Sequence, residues 1–168
     1  MISLTPALIE ATDSDEKLFE LIKQALTERI QYDFGNGDEL VEKIKLLPKG
    51  LRAMAAVYEL DVSLWRDDLG WHFGNWHHHE LAEETALGLE ELGANEMASI
   101  FREAYAFAST YWSELGSDDW SDWYLDSPLD KALFPLNDRA WTIQQSTDGG
   151  LLDLWASYAR RCPERMGS

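Results

Sequence analysis

The 168-residue chain carries 14 Lys plus Arg against 31 Asp plus Glu, a formal charge of −17, with 45% hydrophobic and 12% aromatic residues. That apolar content is enough for a packed core, so one folded domain over residues 1–168 is expected and disorder is excluded. The charge excludes direct binding to nucleic acid or an anionic membrane, both of which need a basic patch.

Helical spacing runs through most of the chain. Asp13 followed by Glu16 predicts a capping box, after which Leu18, Leu21, Ile22, Ala25, Leu26 and Ile30 recur on one face until Phe34-Gly35-Asn36-Gly37 breaks the pattern. A short helix is expected through Leu40, Val41 and Ile44. Pro48 stands near the start of a longer one, in which Leu51, Met54, Ala55, Tyr58, Val62 and Trp65 form an apolar stripe predicted to be buried.

Gly74-Asn75 reads as a break. The next helix runs through Leu81, Leu89 and Leu92 and ends at Gly93, the residue suited to a left-handed cap. Asn95 is placed to cap its successor, where Met97, Ile100, Phe101, Ala104, Tyr105, Ala108 and Trp112 share one face and Glu96, Arg102 and Glu103 the other. Between Ser113 and Asp130 the sequence turns acidic and aromatic together, and Gly116, Pro128 and Pro135 divide it into turns and short helices. Trp141-Thr142-Ile143 suggests a strand stub without a partner strand. A last helix points Leu151, Leu152, Trp155, Tyr158 and Cys162 inward and stops before Pro163, with Arg160, Arg161 and Arg165 as cations at its C-terminal end. The class expected is all-α.

One cysteine, Cys162, permits no intrachain disulfide, and its apolar neighbours suggest a buried, inert thiol. This usage, with no signal-like N-terminus and no apolar run of about 18 residues, predicts a cytoplasmic protein.

The charge is concentrated. Between Ala53 and Asp130 lie 17 acidic residues and only Arg66 and Arg102 as cations. Two series stand out: Glu80, Glu83, Glu84, Glu90 and Glu91 on one helix, and Asp118, Asp122, Asp126 and Asp130 at every fourth position, with Asp119 beside them. Carboxylates four apart on a helix lie ~6 Å apart, comparable to phosphates along a DNA strand. The competing reading is a solvated helix face, against which stands the lack of compensating lysines within the segment, since like charges at i, i+4 repel. The aromatics Trp112, Trp120, Trp123 and Tyr124, interleaved with the aspartates, are interface anchors or ordinary core, and one of Trp120 and Trp123 is expected to be partly exposed.

All four histidines, His72, His77, His78 and His79, fall within eight residues. Their spacing does not put two imidazoles on one helical face, so neither a metal nor another cofactor is expected. No glycine-rich phosphate loop, nucleophile elbow or paired-cysteine motif occurs. Asp67 and Asp68 beside His72 lack a third group to orient them for acid–base work.

Two stretches resemble a known family. From Leu47-Pro48 to Ala108 the chain is similar to a bacterial family with a Leu-Pro-led helix, an Asn-Gly-Gly-Phe turn, a Tyr-Phe-x-Asn end and an acidic helix closing on Ile-Gly-Ala. The matching residues here are Asp67-Asp68-Leu69, His72-Phe73-Gly74-Asn75 and Leu92-Gly93-Ala94. The second stretch is Leu136-Asn137-Asp138-Arg139-Ala140-Trp141 with Leu151 to Glu164, and the family-like portion covers about 47–164. The family includes a bacterial double-stranded-DNA mimic. The resemblance implies an all-helical fold, and the chain departs from it at Arg66-Asp67-Asp68, where the family has Asn-Gly-Gly.

The sequence is therefore read as a non-enzymatic acidic interaction protein. Glu80, Glu83, Glu84, Glu90, Glu91, Asp118, Asp119, Asp122 and Asp126 are its expected partner-binding residues, and DNA mimicry with a role in transcription regulation is the leading mechanism. The expected partner is a basic DNA-binding or toxin-like protein, with a second copy of the chain as a further partner. The alternatives are an antitoxin or immunity protein that caps a basic toxin, and a metal-dependent hydrolase built on His72 and His77 to His79.

Overall fold

A computed structural model describes residues 2–30 and 37–167. Among these residues there are eleven α-helices, two short 3-10 turns and no strand. The helices are α1 (Pro6–Ala11), α2 (Asp15–Thr27), α3 (Gly37–Lys45), α4 (Lys49–Arg66), α5 (Leu69–Asn75), α6 (His79–Leu92), α7 (Asn95–Ser109), α8 (Trp112–Leu115), α9 (Trp120–Tyr124), α10 (Pro128–Gln144) and α11 (Leu154–Arg161). The expected break at Phe34 to Asn36 lies outside the described residues.

Helix α4 is the hub, packed against α6 most extensively and also against α2, α3, α5, α10 and α11. Its burial is correspondingly wide: Leu51, Met54, Ala55, Val57, Leu60 and Leu64 are covered, and so are Glu59, Asp61 and Ser63. The stripe read from the sequence is correct at its start and wrong at its end, because Trp65 is 48% exposed. A helix surrounded by neighbours has no single apolar face, and periodicity loses its meaning there. The crossing with α6 is close because Gly88 meets the carbonyl of Ala53, where a Cβ would stand 2.8 Å from the oxygen.

Helix ends follow local chemistry, with some shifts from the sequence reading. Ser14, not Asp13, caps α2 by accepting from the Lys17 amide, and Ala94 occupies the N-cap of α7 with Asn95 as its first residue. Gly93 takes the left-handed conformation, φ 85°, that ends α6. Arg160 bonds to the carbonyls of Ile9 and Thr12 and pairs with Asp15, tying α11 to the end of α1. Gly74-Asn75 is not a break but the last turn of α5, and Leu151 sits in a 3-10 turn (Gly150–Asp153) ahead of α11.

The expected strand stub at Trp141-Thr142-Ile143 is the last turn of α10, whose helix runs through Pro135. Pro135 is accommodated on the exposed side of α10, where neither its ring nor its missing N–H disturbs the core. Cys162 is only partly buried. No helix among the described residues is long and apolar enough to cross a membrane.

Candidate functional site

The five acidic residues of α6 do not stand free. Glu84 is buried and takes a two-pronged bond from Arg52, at 2.7 Å to Nε and 2.6 Å to Nη2. Glu91 is partly buried and receives Lys49 at 2.7 Å, Arg165, and the Tyr158 hydroxyl at 2.5 Å. Burial, which acts to raise its carboxyl, is outweighed by those three hydrogen bonds, leaving it at about 2. Glu80 pairs with Lys45. Glu90 accepts from Arg102 at 2.9 Å, and Glu83 stands 3.9 Å from the same guanidinium.

These pairs correct the expectation that the α6 carboxylates lack compensation. Lys45, Lys49 and Arg52 precede the acidic segment in sequence, and Arg165 follows it, but packing of α3, α4 and the chain end against α6 brings them back. Glu84 is thereby removed from any outward-facing row. The carboxylates of α6 with substantial exposure are Glu80, Glu83 and Glu90, each beside a cation.

The aspartate series is arranged differently. Asp118, Asp122, Asp126 and Asp130 do not share one helix, since α9 spans only Trp120–Tyr124 and Asp126 adopts φ 63°, outside the helical region. What the segment does share is exposure. Asp118, Asp119, Asp122 and Asp126 are exposed, and no ion pair or side-chain hydrogen bond engages their carboxylates among the described residues. The intervening aromatics turn the other way. Trp120 meets Trp71 edge-on at 4.9 Å, Trp123 packs on Tyr111 at 5.7 Å, and Tyr124 is buried with its hydroxyl donating to Asp68 at 3.0 Å. Both Trp120 and Trp123 keep partial exposure.

Two glycines explain how so short a helix is held. Gly70 and Gly74 lie one turn apart on α5, and a Cβ on either would come within 2.1 Å of Tyr124 and 2.3 Å of Trp120 respectively. Their bare backbone forms the seat into which the α9 rings drop, with the four aspartates facing water above it. Asp68 caps α5 through the Trp71 amide and also accepts from Tyr124 and Asn137, so the turn, α9 and α10 meet at one carboxylate. Burial raises the Asp68 carboxyl against those hydrogen bonds. The sequence carried a signal for this seat in the i, i+4 glycines.

The histidines are separated by the fold. His72 is buried, with Nδ1 3.0 Å from the Ser63 hydroxyl, and burial lowers it to about 4. His78 caps α6 and meets Asp38 at 2.7 Å. His77 and His79 stack on Trp112, at 4.4 and 4.2 Å, with His77 Nε2 on the Trp112 carbonyl and His79 Nδ1 on the Tyr105 hydroxyl. Among the described residues no group of three or more His, Cys, Asp or Glu side chains is placed to hold a metal ion. The hydrolase alternative needs the rings at one centre, and they do not meet: His72 lies in the core, His78 caps α6, and only His77 and His79 share a neighbour, Trp112.

With this geometry in place, the chain was compared with known proteins. The family model described as DMP19-like protein matches residues 45–162, about two thirds of the chain. The chain belongs to this family. The matched region runs from the end of α3 through α11 and so contains α6, the glycine seat and the aspartate surface, while α1 and α2 lie outside it. No curated protein and no solved structure matches the chain.

Proposed function

We propose that this DMP19-like protein acts as a non-enzymatic DNA mimic, binding a basic DNA-binding protein over the face that would otherwise contact phosphates and keeping it from its site. The observation that carries this reading is the set of exposed carboxylates at Asp118, Asp119, Asp122 and Asp126, none of them in an ion pair among the described residues, on a segment rooted by aromatic side chains in a chain of the DMP19-like family. Fixed carboxylates on a rooted scaffold attract a basic partner at long range and suit a surface that normally reads a phosphate backbone. Exposed Glu96 and Glu103 on α7 extend the negative field, whereas Glu80, Glu83 and Glu90 contribute less because Lys45 and Arg102 stand beside them. Glu84 and Glu91 serve to bind α6 to its neighbours and are withdrawn from the surface.

The reading is tested by affinity capture from the source cells at low and moderate salt, followed by elution with duplex DNA. A captured basic protein that binds DNA and is released by the duplex supports mimicry. A captured protein that holds duplex and this chain at once excludes it.

A further inference from the structure

A polar pocket of about 320 Å³ opens between the last two turns of α4 and the end of α5, lined by Glu59, Val62, Ser63, Arg66, Asp67, Asn75 and Trp76. It lies at the Arg66-Asp67-Asp68 turn between α4 and α5. Nothing in the mimic reading uses it.

Two groups of opposite sign in this pocket lack a hydrogen-bonded partner. Glu59 is 2% exposed, and its Oε1 has no hydrogen-bond donor. Ser63, one turn further on, does not supply one, because its hydroxyl already donates to the Glu59 carbonyl and meets His72. Burying a carboxyl oxygen without a donor is costly enough that native proteins rarely leave one so. Arg66, at the mouth, makes no hydrogen bond or ion pair among the described residues, and no bond joins it to Glu59. The rest of the lining adds a second carboxylate in Asp67, an amide in Asn75 and an apolar wall from Val62 and Trp76. The turn is held in place by the Trp141 indole, which donates to the Asp67 carbonyl at 2.9 Å.

From a buried Glu59 carboxyl oxygen without a donor and an Arg66 guanidinium without a hydrogen bond, both lining one pocket, we infer that the site binds a free α-amino acid. The ammonium of the ligand supplies the donors Glu59 lacks, with Asp67 as a second acceptor. Its carboxylate takes the planar fork of Arg66. The volume is that of about ten waters, room for a mid-sized side chain. Burial raises the Glu59 carboxyl to about 7, with the Arg66 charge opposing the shift, so the carboxylate needed to hold an ammonium is gained near neutral pH.

The full chain is tested by thermal melting and titration calorimetry against individual L-amino acids, with n-butylamine and butyrate as single-charge controls. At least one amino acid is expected to raise the melting temperature and to bind saturably, while neither control does so at the same concentration. Glu59→Gln and the surface variant Arg66→Ala should each weaken that binding by about ten-fold or more, the loss of one charged hydrogen bond. The proposal is overturned if no amino acid shifts the melt or gives binding heat, if butylamine binds as well as the amino acids, or if both variants bind unchanged. No partner protein is needed, so failure here leaves the mimic reading standing.

Discussion

Gly74 turns its bare backbone toward the indole of Trp120 so closely that an added Cβ would sit 2.3 Å from Cζ3. Gly74→Ala therefore forces the ring, and the aspartates carried with it, off α5. A helical Gly→Ala change at an open site stabilises by about 0.5–1 kcal/mol, whereas overpacking of this kind costs about 1–3 kcal/mol. A net loss in urea or thermal denaturation is expected, together with increased exposure of Trp120 in its fluorescence.

Arg52 and Glu84 form the two-pronged pair that joins α4 to α6. Arg52→Ala leaves a buried carboxylate without its cation and is expected to cost about 1–3 kcal/mol, less than a fully dry pair because Arg52 is partly exposed. Replacing both residues, as Arg52→Met with Glu84→Leu, should restore much of that loss. Denaturant midpoints of the three proteins measure it, and a double variant less stable than Arg52→Ala would show that the α4–α6 contact requires the charges.

Glu59 and His72 give the stability curve opposing slopes. The Glu59 carboxyl is raised from 4.5 to about 7 on folding, so the folded state holds the extra proton between those values and stability falls as pH rises through them. His72 is lowered from 6.5 to about 4, so the unfolded state holds the extra proton and stability rises with pH across that window. Glu59→Gln removes the first slope only. Its stability relative to the parent should grow between pH 4.5 and 7, by up to about 3 kcal/mol, and its own curve should climb more steeply from pH 4 to 6.5. Melting curves over this range check it, and a constant difference between the two proteins would place Glu59 in contact with water.

The sequence made some of this legible and hid the rest for physical reasons. α6 and α7 each bury one side, so the spacing of Leu81, Leu89 and Leu92, and of Met97, Ile100, Phe101 and Ala104, was enough to find them. The interleaving of Asp118, Asp119 and Asp122 with Trp120 and Trp123 was visible, and burial of the rings explains it. The pairing of α6 was not visible, because Lys45, Lys49, Arg52 and Arg165 reach it from 32 to 74 residues away and a count over one segment cannot include them. Gly74 read as a break because its use depends on which ring packs against it. Glu59 was indistinguishable from any helical glutamate until the neighbours of α4 covered it.

Asp118, Asp119 and Asp122 carry no stabilising contact, so changing all three to Asn should leave the melting temperature unchanged or slightly higher. At low salt the parent feels the mutual repulsion of these charges, screened over ~8 Å at physiological ionic strength. Added sodium chloride should raise the parent's melting temperature by more than that of the triple variant.

The decisive measurement is the affinity of a captured DNA-binding partner, as a function of salt, for the parent, for Asp118→Asn/Asp119→Asn/Asp122→Asn/Asp126→Asn, and for Glu83→Gln/Glu90→Gln. If the exposed aspartates stand in for phosphates, the fourfold variant binds at least about ten-fold more weakly with a shallower dependence on salt. The glutamate pair, already beside Arg102, should change affinity much less. Equal affinity of the parent and the fourfold variant, with the same dependence on salt, would contradict a phosphate-like role for this surface.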